Sequence, residues 1–177
     1  MKSFEELVDQ VTDKISSPTE KELCNKALKM WINEGKFPSA ETIGVSQEVM
    51  NHFYAYGYRL YHAGDYKKAA VIFTWLSLLN ENNFNYMFAL ASCYHMLKQY
   101  QEALNTYLVA CEIDLNNPMP CFHAADCYIK MNKPEVAIYC LEFSIAQAAD
   151  KPKYAKLKER ATLMLLHLAK EGEVKKA

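Results

Sequence analysis

Residues 57–73 read GYRLYHAGDYKKAAVIF, residues 91–107 read ASCYHMLKQYQEALNTY, and residues 125–141 read ADCYIKMNKPEVAIYCL, each stretch beginning 34 residues after the one before. Laid over one another they place Ala69, Ala103 and Ala137 in one column, Gly57, Ala91 and Ala125 in a second, Leu60, Tyr94 and Tyr128 in a third, and Phe73, Tyr107 and Leu141 in a fourth. Small residues stay small and large ones mostly stay large. A fixed period of about 20 to 50 residues marks stacked structural repeats, each too small to bury its own apolar face.

Within the first copy, Gly57, Leu60, Gly64, Tyr66, Ala69 and Phe73 follow the helix-turn-helix signature of the tetratricopeptide repeat. Small residues there let two antiparallel helices approach, and bulky ones fill the gap. The expected fold is all-α: three tandem tetratricopeptide repeats in an α-solenoid, at about 50–83, 84–117 and 118–151 within a domain spanning 46–151. Ser46 is placed to cap the first helix, Gly64-Asp65 closes it and caps the next, and Pro118 and Pro134 fall at the first position of later helices. Pro152 is expected to start a capping helix ending near Glu171 with Gly172 as its stop, its apolar series being Leu157, Ala161, Met164, Leu165 and Leu168. Residues 152–177 thus form a capping helix and basic tail. Upstream, residues 1–45 form an N-terminal helical region and connector. One stripe there holds Phe4, Leu7, Val8, Val11 and Ile15, and a second helix, from about 18 to 35, carries Leu23, Ala27, Leu28, Met30 and Trp31, with an extended connector expected from Lys36 to Gly44.

Composition agrees with helices and removes several functions. The 177 residues are 51% hydrophobic and 23% charged, with five Gly and six Pro, which suits long helices with short breaks in a chain able to bury a core of its own. A net charge of −1 provides no global attraction to nucleic acid or anionic lipid. Residues 151–177 carry eight Lys and Arg against three Asp and Glu, but without an aromatic platform or groove-reading motif this reads as a solvated face rather than a nucleic-acid site. No signal-peptide layout and no apolar run long enough to span a bilayer occur, so a cytoplasmic protein without membrane insertion is expected. The six cysteines show no CxxC spacing and read as core filler in a reducing compartment.

On the first helix of each repeat, positions 4, 7, 8 and 11 supply the packing stripe. A second stripe, at positions 2, 5, 9 and 12, lies roughly 130° around the helix. An ordinary amphipathic helix would carry charge there. Instead it carries Asn51, Tyr54, Tyr58 and Tyr61, then Asn85, Phe88, Ser92 and His95, then Met119, Phe122, Asp126 and Ile129. First helices line the inner side of such a stack, so this stripe describes an aromatic groove with a few polar points, suited to an extended peptide. The alternative is that these rings are packing residues covered by the protein's own N-terminal helices or turns.

The architecture, the Tyr-rich first repeat running from Tyr54 to Tyr66, and the string Phe122-His123-Ala124-Ala125-Asp126-Cys127 together resemble the class II chaperones of bacterial type III secretion, over roughly residues 38–160. The resemblance implies a cytosolic, non-enzymatic protein that keeps hydrophobic translocator proteins soluble and apart before secretion, gripping a stretch near the client's N-terminus. It implies client contacts at Tyr54, Tyr58, Tyr61, Phe88, His95, Phe122 and Asp126. Ser92 and Ile129 lie on the same stripe, and Tyr66 stands where the repeat usually packs between helices. It also implies a homodimer made through the N-terminal helices, which matches the apolar stripe at Leu23, Ala27, Met30 and Trp31, and in some members assistance to a transcription activator. A general repeat scaffold joining folded partners is the competing reading; the Lys and Asn clamp with which some such scaffolds grip a C-terminal carboxylate is missing.

Catalytic and cofactor signatures are missing from the sequence. The five histidines include no HExxH, and no phosphate-binding glycine loop occurs. Cys121, His123 and Cys127 do not match a common zinc spacing, and residues 121 and 123 point about 200° apart on a helix. No metal, cofactor or enzymatic activity is expected.

Overall fold

The computed structural model describes Glu22 and residues 39–174, with side chains described as far as Lys170. The amphipathic helices expected before residue 38, including Leu23, Ala27, Met30 and Trp31, lie outside the described residues. The described residues fall into two compact units, divided between Cys93 and Tyr94.

In the first unit, α1 (Ala40–Ile43) is a single turn capped by Ser39, whose Oγ accepts from the Thr42 N–H, and closed by Gly44 at φ 77°. This turn replaces part of the extended connector expected between Lys36 and Gly44; the Ser39 cap and the left-handed glycine satisfy its terminal groups. Helix α2 (Gln47–His62) begins where Ser46 Oγ accepts from the Val49 N–H at 3.3 Å. Gly64, at φ 80°, turns the chain, and Asp65 then accepts from the Lys68 N–H to start α3 (Tyr66–Leu79). The short turn makes α2 and α3 an antiparallel pair. A Cβ placed on Gly57 would come within 2.9 Å of the Phe73 ring and 3.1 Å of Ile72, both buried, which is the close approach the small-residue column foretold. Phe53 packs on Trp75 with ring centroids 4.9 Å apart. Helix α4 (Phe84–Met96) adds Tyr86, Leu90, Ala91 and Cys93 to the buried set.

The second unit continues with α5 (Tyr100–Ile113), α6 (Met119–Lys130), α7 (Pro134–Ala148), a 3-10 turn (Pro152–Tyr154) and α8 (Ala155–Val174). Lys98 and Asn132 stand 34 and 68 residues after Gly64 and adopt the same left-handed backbone, at φ 61° and 57°. The backbone repeat is therefore stricter than the residue repeat. Pro134 opens α7 as expected, whereas Pro118 sits one residue ahead of α6, as its N-cap. Ser144, fully buried on α7, donates to the Pro118 carbonyl at 2.9 Å and ties α7 to the start of α6. Pro152 starts a 3-10 turn rather than the capping helix itself, and α8 runs through Gly172 to Val174. A glycine inside a helix costs only about 1 kcal/mol, and nothing at this position forces a left-handed stop. The core of this end holds Phe122, Ala125, Ala137, Leu141, Ala161 and Leu168, with Leu157, Met164 and Leu165 of α8 packed against it.

Candidate functional site

In the first unit the inner-stripe residues form a chain of rings. Tyr54, half-buried on α2, meets Phe73 and Tyr86, each with ring centroids 5.7 Å away. Burial, followed by the neighbouring hydroxyls of Tyr58 and Tyr86, raises its phenol above the ordinary value, so it stays a neutral hydrogen-bond donor. Tyr58, one turn on, is 53% exposed and leans on His62 at 4.3 Å. Tyr61 packs edge-on to Tyr66 at 5.3 Å, and its phenol too is raised, mainly by burial. Tyr66 is therefore a packing neighbour of the stripe, half-buried at the start of α3. On α4, Phe88 stacks on Phe84 with an interplanar angle of 13°. Ser92 donates its hydroxyl hydrogen to the Phe88 carbonyl at 2.8 Å, one turn back. Tyr54, Tyr61 and Phe88 are thus partly buried and Tyr58 exposed, each ring in contact with an aromatic neighbour.

The second unit brings His95 and Asp126 together. The His95 imidazole Nε2 lies 2.8 Å from Asp126 Oδ2, with the side chains 19% and 30% exposed. The hydrogen bond from His95 is the main reason that the Asp126 carboxyl titrates below its ordinary value, and it outweighs the opposing effect of burial. Tyr100, Tyr107 and His123 surround the His95 ring at centroid distances of 5.8, 6.2 and 6.1 Å. His123 itself lies flat on Tyr107 at 5.4 Å, and burial, then the adjacent His95, pushes it down to about 4.

Two stripe residues are placed differently from the open face expected of them. Phe122 is only 7% exposed, built into the core beneath α8, with the Arg160 guanidinium 5.6 Å from its ring centre. Ile129 packs partly buried against the same cluster. The third repeat has no fourth to follow it, so α8 closes over this side of α6. The expected divergence of Cys121 and His123 is seen: Cys121 turns inward to Cys111, while His123 meets Tyr107.

Sequence reasoning missed Tyr100, Tyr107 and His123 as neighbours of the polar pair. One signal was available, since Tyr100 occupies in the second repeat the place of Tyr66 in the first. The arrangement offers apolar ring faces, phenol hydroxyls and one carboxylate held by an imidazole, which are elements of peptide recognition. Among the described residues, no group of three or more His, Cys, Asp or Glu is placed to hold a metal ion. Among the same residues, no helix is long and apolar enough to cross a membrane.

Comparison with known proteins adds the following. Residues 76–144 match the family model described as "Anaphase-promoting complex, cyclosome, subunit 3". The chain is 30% identical over 113 residues to the chaperone protein SicA of Salmonella dublin, covering 64% of this chain and 68% of that one. It superposes with a TM-score of 0.71 and 30% identity on PcrH, a Pseudomonas aeruginosa protein solved in complex with the chaperone binding region of PopD, over 73% of this chain and 97% of that one. It is also similar to the Yersinia enterocolitica type III secretion chaperone SycD, solved with a peptide of the translocator YopD: TM-score 0.69, 25% identity, 75% of this chain and 98% of that one.

Proposed function

The chain belongs to the class II chaperones of bacterial type III secretion, the translocator chaperones, and on that premise we propose that it binds an extended segment of a hydrophobic translocator protein and keeps it soluble and unassembled before secretion. PcrH and SycD are each held with a piece of such a client, PopD and YopD. In this chain the client-binding residues are Tyr54, Tyr58, Tyr61, Phe88 and Ser92 in the first unit, and His95 and Asp126 in the second. Phe122 and Ile129 act from beneath as the support of α6, and Tyr66 braces Tyr61. The protein acts without enzymatic chemistry or a cofactor, in the bacterial cytoplasm, as a homodimer through the helix bearing Leu23, Ala27, Met30 and Trp31.

The observation that carries this reading is the half-exposed ring chain of α2 and α4, with Tyr58 53% exposed. Burying three or four client side chains against such rings contributes about 1.5–3 kcal/mol each. Ordering a flexible segment and losing its translational freedom offset much of that gain, which leaves a specific but reversible complex. Binding of a synthetic translocator N-terminal segment, measured by titration calorimetry, is expected to weaken about 30-fold or more in a Tyr54→Ala, Phe88→Ala double variant whose helix content is unchanged. Undiminished affinity would remove these rings from the client site.

A further inference from the structure

Two thiols from successive helices meet in the second unit, Cys111 in the last turn of α5 and Cys121 in the first turn of α6, and Cys140, in the middle of α7, is near enough to act on both electrostatically. Cys111 and Cys121 are buried, at 8% and 7% exposure, and their Sγ atoms lie 2.7 Å apart with both thiols free. The two sulfurs are thus direct neighbours, with no other group between them. A disulfide requires about 2.05 Å, a closing movement of about 0.7 Å from the observed separation. Ten residues separate the two positions, and the turn between α5 and α6 already brings their backbones together.

We propose that Cys111 and Cys121 are a redox modification site, forming an intramolecular disulfide when the protein meets hydrogen peroxide and stapling α5 to α6. In the first step one sulfur attacks a peroxide oxygen. The O–O bond breaks, the thiol proton leaves with the departing oxygen as water, and a sulfenic acid remains. The second sulfur then attacks the sulfenic sulfur; the S–S bond forms, the S–O bond breaks, and a second water carries off the hydroxyl and the second thiol proton. Two thiols are oxidised by two electrons and one peroxide is reduced to two waters.

Burial pushes the Cys121 and Cys140 thiols above the ordinary thiol range, so little thiolate is present at neutral pH. The bridge is therefore a slow response to oxidant and not a constitutive bond. Cys140, the more exposed of the three, lies outside the bridge; a small thiol reductant undoes the bridge by attacking one of its sulfurs, the S–S bond giving way to a mixed disulfide that a second reductant thiol displaces. The bridged state holds α6, the helix that carries Asp126, to its neighbour. This inference is independent of the client reading.

The test is to treat the intact native protein with hydrogen peroxide, block remaining thiols with iodoacetamide, and map the bridges by mass spectrometry without reduction. Trypsin together with a protease cutting before Asp114 and Asp126 places Cys111, Cys121, Cys127 and Cys140 on separate peptides. The expected result is a cross-linked pair of the Cys111 and Cys121 peptides, with free thiols falling from six to four. The thermal midpoint should rise by about 5 °C, reversibly with dithiothreitol, in the parent but not in Cys121→Ala. Alkylation of both Cys111 and Cys121 after oxidation, or a bridge that instead joins two chains through Cys24, would overturn the proposal.

Discussion

His123 shows how one residue couples position to pH. An imidazole ordinarily titrates near 6.5, but burial on the Tyr107 ring, with His95 and Arg160 adding repulsion and Asp126 partly relieving it, holds this one down to about 4. Between those values the unfolded chain takes up a proton that the folded chain refuses, so unfolding binds more protons and folding stability rises with pH across that window. Above it both states are neutral at this ring and the effect vanishes. Acidification from pH 7 to about 4 should therefore cost up to about 3 kcal/mol through His123 alone. His123→Phe, which retains a ring on Tyr107, is expected to flatten the dependence of urea midpoint on pH in that interval. Asp126 acts in the same sense and lower down: its carboxyl, depressed chiefly by the hydrogen bond from His95, contributes stability that is present above the ordinary carboxylate value and lost as pH falls through its own. The two residues, three apart on α6, thus separate by the pH at which they matter.

At the scale of elements, the turn inside each repeat sets the angle between its two helices. Gly64, Lys98 and Asn132 all take the left-handed backbone there, although only the first is glycine. An L side chain in that conformation costs about 1–2 kcal/mol, less for Asn. Gly64→Ala is accordingly expected to destabilise by about 1 kcal/mol in urea denaturation. Lys98→Gly should stabilise by about 0.5 kcal/mol, because relief of strain exceeds the added freedom of the unfolded chain. Equal and negligible effects at both turns would contradict this equivalence. Asn132 was the one hint in the residue column, since Asn tolerates this backbone as glycine does, whereas Lys98 shares no such property with glycine until φ is known.

For the whole molecule, the 34-residue period, the capping helix and the aromatic stripe all agree with membership in the translocator chaperones, and the family assignment carries one further expectation. The stripe of Leu23, Ala27, Met30 and Trp31 lies outside the described residues and is proposed as the dimer contact. An apolar helix face left in water would favour association. Multi-angle light scattering of Trp31→Glu should then give the monomer mass, 20.4 kDa, where the parent gives twice that. A variant that keeps the parent mass places the contact elsewhere.

Helix boundaries and repeat units were legible in the residue order because capping, turn chemistry and apolar spacing act over four or five neighbours, as Ser46, Asp65 and Pro134 show. The half-exposed rings of Tyr54 and Tyr58 were legible for the same reason, since the helical period alone orients them. Tertiary structure alone decided that Phe122 and Ile129 are closed over by α8, that His95 reaches Asp126 across two helices, and that Cys111 meets Cys121. Which face of a helix is buried depends on the element that covers it. Periodicity orients a side chain about its own axis and carries no information about the neighbour it will find there.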